Sequence, residues 1–240
     1  MSKIFISHGE KGGLGKSRLA MVLIDLLHRR GRDIALVEGD KSGADVGLRF
    51  NGLLDVGFIN LNRPDAMEDA FSNLGGWLQD HGDGKDVVIN LPGQATATLD
   101  KFADLLAGTV EMLGHELVVY YSVGNLDIHT SNLLTSMREG LMSVVPIEKQ
   151  VVVVPLMFGD PAGYHWYRAS ERTRYLEAGG KEGVMPLLKP AVLEEFVRAT
   201  PGYYSPLLEP ASPLKTADRG LLFRWLTAAH KVAALGVDHE

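Results

Sequence analysis

The stretch "SHGEKGGLGKSRLA", residues 7–20, lies between a short apolar run and a helical pattern. Four glycines and two lysines fall within residues 9–16 of this stretch. Glycines at an element boundary are costly in backbone entropy, so a close approach of the backbone to a ligand is a reason to have them there. Successive N–H groups in a loop between a strand and a helix cradle phosphate groups. We therefore expect this loop to bind the phosphates of a nucleotide.

The core "GGLGKS", residues 12–17, matches the phosphate-loop pattern G-x-x-x-x-G-K-[ST], except that Glu10 stands in the place of the first glycine. Lys16 is expected to reach the β- and γ-phosphates, and Ser17 to place its hydroxyl on Mg²⁺. The alternative is a flexible turn with an incidental Lys-Ser pair, which the flanking strand and helix disfavour. The expected nucleotide-binding residues are Glu10, Gly12, Gly13, Leu14, Gly15, Lys16, Ser17 and Arg18.

Short apolar runs alternate with longer helical patterns along the rest of the chain. Strands are expected at 3–8, 33–40, 56–61, 86–92, 116–123, 150–158 and 184–190. Helices are expected at 15–31, 63–82, 98–113, 126–141, 162–179, 192–199 and 217–235, with glycines breaking the one at 63–82. Apolar strands between helices predict an α/β fold, a mostly parallel sheet with helices on both faces. No shift in composition divides the chain, so residues 1–240 are expected to form a single domain.

Composition and charge exclude several classes of protein. The 240 residues contain no cysteine, which excludes a disulfide scaffold, a cysteine nucleophile and a cysteine-ligated iron–sulfur cluster. The net charge of −6 does not support a dedicated nucleic-acid binder, although a local basic patch remains compatible with it. No secretory signal and no membrane-spanning run stand out, so we expect a soluble, cytoplasmic protein.

The octapeptide "EKGGLGKS", residues 10–17, resembles the deviant Walker A loop of the ParA/MinD family of P-loop ATPases. In that family a second lysine in the loop, matched here by Lys11, reaches the phosphates of a second subunit. The resemblance implies a homodimer with ATP held between the subunits, with ATP and Mg²⁺ as cofactors. It also implies catalytic roles for Lys11 and Lys16.

Two further stretches are similar to the same family. In "VEGDKSGADVGLR", residues 37–49, Asp40 matches the aspartate that orients water or holds a magnesium-bound water. In "DVVINLPGQ", residues 86–94, Asn90 stands where the family has a Walker B aspartate. An amide can bond a magnesium-bound water but brings no charge, so hydrolysis is expected to be slow, and Asn90→Asp to raise turnover. The expected metal-site residues are Ser17, Asp40 and Asn90.

The resemblance favours a nucleotide-dependent, dimerising ATPase that acts in DNA partition, positioning or conjugal plasmid transfer through a partner protein. A nucleotide-bound scaffold that does not hydrolyse ATP is a second hypothesis, because Asn90 lacks charge. An ATP-dependent metabolic ligase of the same superfamily is a third, although no substrate pocket stands out in the sequence.

Two weaker features of the sequence are candidates for interaction surfaces. The segment "YHWYRASERTRY", residues 164–175, mixes aromatic residues with arginines and suits either a DNA or partner contact or an ordinary solvated face. The solvated face is the simpler interpretation. The closing helix suits either a membrane surface or docking on the sheet, and docking needs no extra assumption.

Overall fold

The computed structural model describes residues 2–9, 12–39, 43–61, 66–93 and 96–238, and the side chains of all of these except 96–98. The strands are β1 (Lys3–His8), β2 (Ile34–Glu38), β3 (Asp55–Phe58), β4 (Asp86–Asn90), β5 (Glu116–Ser122), β6 (Gln150–Pro155) and β7 (Lys181–Met185). The longer helices are α1 (Lys16–Arg29), α2 (Asp45–Phe50), α3 (Met67–His81), α4 (Thr96–Lys101), α5 (Ala103–Met112), α6 (Asp127–Glu139), α7 (His165–Arg168), α8 (Ser170–Glu177), α9 (Ala191–Ala199) and α10 (Thr216–Val237).

All seven strands pair in parallel in one sheet, in the order β3-β2-β4-β1-β5-β6-β7. The predicted α/β class with a parallel sheet is therefore confirmed. From β1 the chain crosses to β2 and β3 on one side, returns to β4 next to β1, and then continues to β5, β6 and β7 on the other side, so the direction of the crossovers reverses beside β1. Open α/β sheets bind ligands at this kind of position.

Helices cover both faces of the sheet, as the apolar strands predict. Ile4 and Ile6 of β1 point into one core, together with buried residues of α3, α5 and α6, whereas Phe5 points into the other core, with α1 and α10. Because each face of the sheet has its own helical cover, the residues in the middle of β1 are fully buried. Because both faces of the sheet are covered, a ligand has access to it at the edge where the strands end.

Several element boundaries differ from those predicted. The segment 67–81 is one continuous helix, because packing of its buried face, with Phe71, Leu74 and Leu78, outweighs the cost of about 1 kcal/mol for each glycine inside it. The pattern at 98–113 is two helices that meet at Phe102, and the pattern at 162–179 is a short turn followed by α7 and α8. Strand β7 ends at Met185, just before a proline, which cannot continue a ladder. Helix α2 had not been predicted.

Helix α10 docks on α1 and β7, as the simpler interpretation predicts. Its last carbonyl groups accept hydrogen bonds from two lysines: Lys3 Nζ to Val237 O at 3.0 Å and Lys181 Nζ to Leu235 O at 2.9 Å. In the part of the chain that the structure describes, no helix is both long and apolar enough to cross a membrane.

Candidate nucleotide site

Between β1 and α1, Gly9, Gly13 and Gly15 have positive φ, and the last two lie directly before α1. Gly13 has a φ of 82° and Gly15 a φ of 86°, in the left-handed region that side chains other than glycine rarely adopt. Gly13 has open space around it and Gly15 approaches only Pro155, so backbone conformation rather than crowding requires glycine at these two positions. The loop can therefore direct its amide groups toward one point.

The first turn of α1 is anchored to β1. Ser7 Oγ donates a hydrogen bond of 2.9 Å to the carbonyl oxygen of Lys16, and Ser7 is fully buried. The side chain of Lys16 lines a cavity although the residue is only 6% exposed. A buried ammonium group is costly unless an anion lies near it. The helix N-terminus and this ammonium group together favour a phosphate.

A cavity of about 360 Å³ extends from the glycine loop across the carboxyl ends of the strands. Part of the lining is the loop and the start of α1. Another part is an apolar wall formed by residues 155–157 at the end of β6 and residues 185–188 at the end of β7. A cavity that combines an anion cradle with an apolar wall suits a ligand with charged and aromatic parts.

An ion pair spans the side of this cavity. Arg18 Nη2 of α1 bonds to Glu194 Oε1 of α9, and both residues line the cavity. The two side chains are 27% and 24% exposed, so solvent reaches both charges. The cavity beside the glycine loop is thereby lined by one paired cation and one paired anion.

A buried carboxylate lies behind the cavity, beside the Walker B position. Glu38 and Asn90 are direct partners in the β2–β4 ladder, and they are 0% and 1% exposed. Asn90 Nδ2 donates to Glu38 Oε1 at 2.9 Å, and the backbone N–H of Gly47 donates to Glu38 Oε2 at 2.9 Å. This contact was not predicted from the sequence.

The oxygens near this contact fit a magnesium ion that is held through water. Oδ1 of Asn90 is buried and has no hydrogen-bond partner among the described residues. Its orientation is set by the bond from Nδ2 to Glu38. Ser17 lines the cavity at the start of α1, and the residue after Asn90, Leu91, lines it as well. Hydroxyl and amide oxygens are ligands that Mg²⁺ accepts, often with several waters retained.

The structure brings most of the predicted phosphate-binding residues together. The cavity is lined by Gly12, Gly13, Gly15, Lys16, Ser17 and Arg18. Leu14 is 2% exposed and packs inward, so only its backbone is suited to a ligand. Glu10, Lys11 and Asp40 lie outside the described residues. Within the described ranges, no cluster of three or more His, Asp or Glu residues could hold a metal by itself.

In the segment 164–175, Arg168 and Arg174 are exposed, as the solvated-face interpretation predicts, whereas Arg172 is half-buried. Arg172 donates to both carboxylate oxygens of Glu182 at 2.9 Å and stacks over the ring of Tyr167 at 4.3 Å. Trp166 Nε1 donates to the same carboxylate at 2.6 Å. Arg172 therefore holds α8 against β7, because its charge is matched within the fold.

Comparisons with known proteins agree with the fold. The chain is similar to the protein MobD of Acidithiobacillus ferrooxidans, with 28% identity over 99% of this chain and 98% of that protein. A putative plasmid partition protein of Borrelia burgdorferi B31, solved with AMPPNP bound, superposes with a TM-score of 0.56, 12% identity and 98% coverage of both chains. No protein-family model matches.

The septum site-determining protein MinD of Pyrococcus horikoshii, solved as a complex with Mg-ADP, superposes with a TM-score of 0.52 and 14% identity. The superposition covers 97% of this chain and 95% of that one. The similarity to the ParA/MinD family is thus confirmed in the fold, which is that of its P-loop ATPases.

Proposed function

We propose that this protein binds ATP and Mg²⁺ at the glycine loop, dimerises around the nucleotide and hydrolyses it slowly as a ParA/MinD-like ATPase. The observation that carries the proposal is the cavity in which Gly13, Gly15, Lys16 and Ser17 meet an apolar wall at the reversal of strand order. The biological role we propose is DNA partition, positioning or conjugal plasmid transfer. Residues 1–240 form its single ATPase domain in this proposal.

In this proposal, different residues of the chain bind different parts of the nucleotide. The loop amides and the Lys16 ammonium neutralise the phosphates, and the wall formed by residues 155–157 and 185–188 excludes water from the base. When bound, Mg²⁺ would supply Lewis-acid stabilisation of charge on the phosphates. Ser17 and Asn90, with Asp40, are the side chains that would hold it. The neutral amide of Asn90 is the reason to expect slow turnover.

Dimerisation is assigned to Lys11, which belongs to the family loop pattern and is not needed for binding within one chain. A cation supplied by a second subunit would compensate phosphate charge only while the γ-phosphate is present, so hydrolysis would reset the assembly. The plasmid partition protein that shares the fold supports a role in partition. A partner protein that recognises the dimer completes the proposal, and direct DNA contact is not supported by the net charge of −6.

Light scattering with and without ATP and Mg²⁺ tests this function on three proteins. The wild type is expected to dimerise only with nucleotide. Lys11→Ala is expected to bind nucleotide but to remain a monomer, whereas Lys16→Ala is expected to lose nucleotide binding. If wild type and Lys11→Ala dimerise alike, the assignment of Lys11 is wrong. If the wild type binds no nucleotide, the function itself is wrong.

One observation favours the second hypothesis, a nucleotide-bound scaffold that does not hydrolyse ATP. Asn90 is neutral and bonded to Glu38, so the aspartate that the family uses at this position is missing. A scaffold would bind ATP and dimerise without releasing phosphate. Phosphate release measured over hours on the same wild-type sample separates the two hypotheses.

A further inference from the structure

Residues 186–188 form a segment that lies between the nucleotide cavity and a second cavity. Strand β7 ends at Met185, so the sheet does not hold the chain beyond that residue. Pro186, Leu187 and Leu188 line the cavity beside the glycine loop, and they also line a neighbouring cavity of about 530 Å³ next to α10. A segment with open space on two sides contacts fewer atoms than a core strand does, so a single bond has a large influence on its position.

Trp225 of α10 supplies such a bond. Its Nε1 donates a hydrogen bond of 2.9 Å to the carbonyl oxygen of Pro186. Within the described ranges, no other hydrogen bond reaches residues 186–188. The indole is 5% exposed, packs in the same core as Leu188 and lines both cavities. The position of this part of the wall therefore depends on Trp225.

The indole is in turn oriented from α1. Its ring meets the ring of Tyr204 edge to face, with 5.5 Å between the centroids and an angle of 89° between the planes. The backbone N–H of Tyr204 donates to Asp25 of α1 at 2.7 Å, and Tyr204 lines the nucleotide cavity together with Trp225. Helix α1 begins at Lys16 of the glycine loop. The segment 186–188 is thus connected to the helix that carries the phosphate end of the cavity.

We propose that Trp225 is a positioning residue for the base of the nucleotide, because it fixes residues 186–188 relative to the glycine loop. This inference rests on the proposed function, in which the base lies against this wall. The side chains of Pro186, Leu187 and Leu188 carry no polar atoms, so their contact with a base depends on shape and on backbone groups. Contacts of this kind are lost when the backbone shifts by about 1 Å. Trp225 acts through the wall and not on the phosphates.

Replacing Trp225 separates the base end of the cavity from the phosphate end. Trp225→Phe keeps an aromatic ring in the core but leaves the carbonyl oxygen of Pro186 without its donor, and the segment is expected to shift toward water. We expect the affinity for ATP to fall about tenfold, while the affinity for inorganic triphosphate, which has no base, is unchanged.

Trp166→Phe is the matched control. It also removes a hydrogen bond of a buried indole N–H, the one of 2.6 Å to Glu182, but in the core on the other face of the sheet. Isothermal titration in Mg²⁺ measures both ligands on the wild type and the two variants, and thermal unfolding reports on their folding. A ratio of ATP affinity to triphosphate affinity that falls only in Trp225→Phe supports the inference. The inference is overturned if Trp225→Phe keeps the wild-type ratio, or if Trp166→Phe lowers the ratio as much.

A second measurement does not require Trp225→Phe to fold. The chain has three tryptophans, so the double variant Trp77→Phe with Trp166→Phe leaves Trp225 as the sole tryptophan. ATP is expected to change the fluorescence of Trp225, because the base fills the cavity that the indole lines, whereas inorganic triphosphate is not. Equal changes of emission with the two ligands would overturn the inference.

The outcomes are separable from those of the proposed function. If the wild type binds ATP no more tightly than inorganic triphosphate, the inference is overturned while phosphate binding at the glycine loop stands. If the wild type binds neither ligand, the proposed function fails and the inference falls with it.

Discussion

Asp25 of α1 and His230 of α10 form a buried contact, with Oδ2 of the carboxylate 2.9 Å from Nε2 of the imidazole. The same carboxylate accepts from the backbone N–H of Tyr204 and of Ser205, at 2.7 and 2.8 Å, and from Ser205 Oγ at 2.7 Å. Asp25 is fully buried. The helix that begins at the glycine loop is thus fixed to the loop before α10 and to α10 itself.

Removing this carboxylate is expected to destabilise the fold strongly. Asp25→Ala removes the acceptor of these four contacts, two of them from half-buried Ser205, and should lower the free energy of unfolding by about 3–5 kcal/mol. Asp25→Asn should cost less, because its oxygen still accepts from the two backbone groups. Urea unfolding measures both, and Asp33→Ala, at an exposed carboxylate, is the control. A cost for Asp25→Ala within the range of the control would contradict the role of this cluster.

Acid is expected to weaken the same contact. Burial raises the pKa of Asp25, but hydrogen bonds from His230 and Ser205 outweigh it and hold the pKa below its usual value. A carboxyl whose folded pKa is lowered stabilises the protein above its unfolded pKa, about 3.9, and this contribution is lost as the pH falls through the folded value. Unfolding curves between pH 7 and pH 2.5 should show a smaller loss on acidification for Asp25→Asn than for wild type. Identical pH profiles would contradict the prediction.

Local sequence signals predicted the fold class and the phosphate end of the site. The alternation of apolar runs with helical patterns predicts a parallel sheet because each such strand must be buried on both faces. Gly13 and Gly15 adopt positive φ values that favour glycine, so the turn before α1 could be predicted from the sequence. These features depend on neighbours that are close in the chain.

The rest of the site depends on residues that are distant in sequence. Glu38 and Asn90 are 52 residues apart, and Arg18 and Glu194 are 176 apart. No spacing rule connects such positions until the strand order is known. The sequence signal for Glu38 was that it is a polar residue at the end of β2, directly before the segment that contains Asp40. The apolar wall after β7 was missed, because residues 184–190 had been predicted as a strand, whereas β7 ends at Met185.

The conformation of Gly15 is expected to control nucleotide affinity. Gly15→Ala forces a side chain into the left-handed region, at a cost of about 1–2 kcal/mol, although only Pro155 lies within 4.0 Å of the new atom. We expect the ATP affinity to fall about tenfold, because relaxing the strain rotates the loop amides away from the phosphates. Isothermal titration measures the loss, and Gly12→Ala, with no positive φ and open space around it, is the matched control. Equal losses for the two variants would show that strain at Gly15 is not the cause.

The charges of Arg18 and Glu194 are expected to act on a bound triphosphate with opposite sign. Arg18→Gln removes a cation from the cavity and should weaken ATP binding severalfold, whereas Glu194→Gln removes an anion and should tighten it severalfold. Because both side chains are partly exposed, the two effects should shrink as salt rises from about 0.05 to about 0.5 M. Protein stability should change little, since a partly exposed ion pair contributes about 0–1 kcal/mol.

Glu195→Gln is the control, because it makes the same change of net charge at an exposed position next in the chain. Equal shifts of the ATP affinity in the Glu194 and Glu195 variants would contradict the prediction. They would mean that the affinity depends on the net charge and not on the position of the ion pair beside the glycine loop.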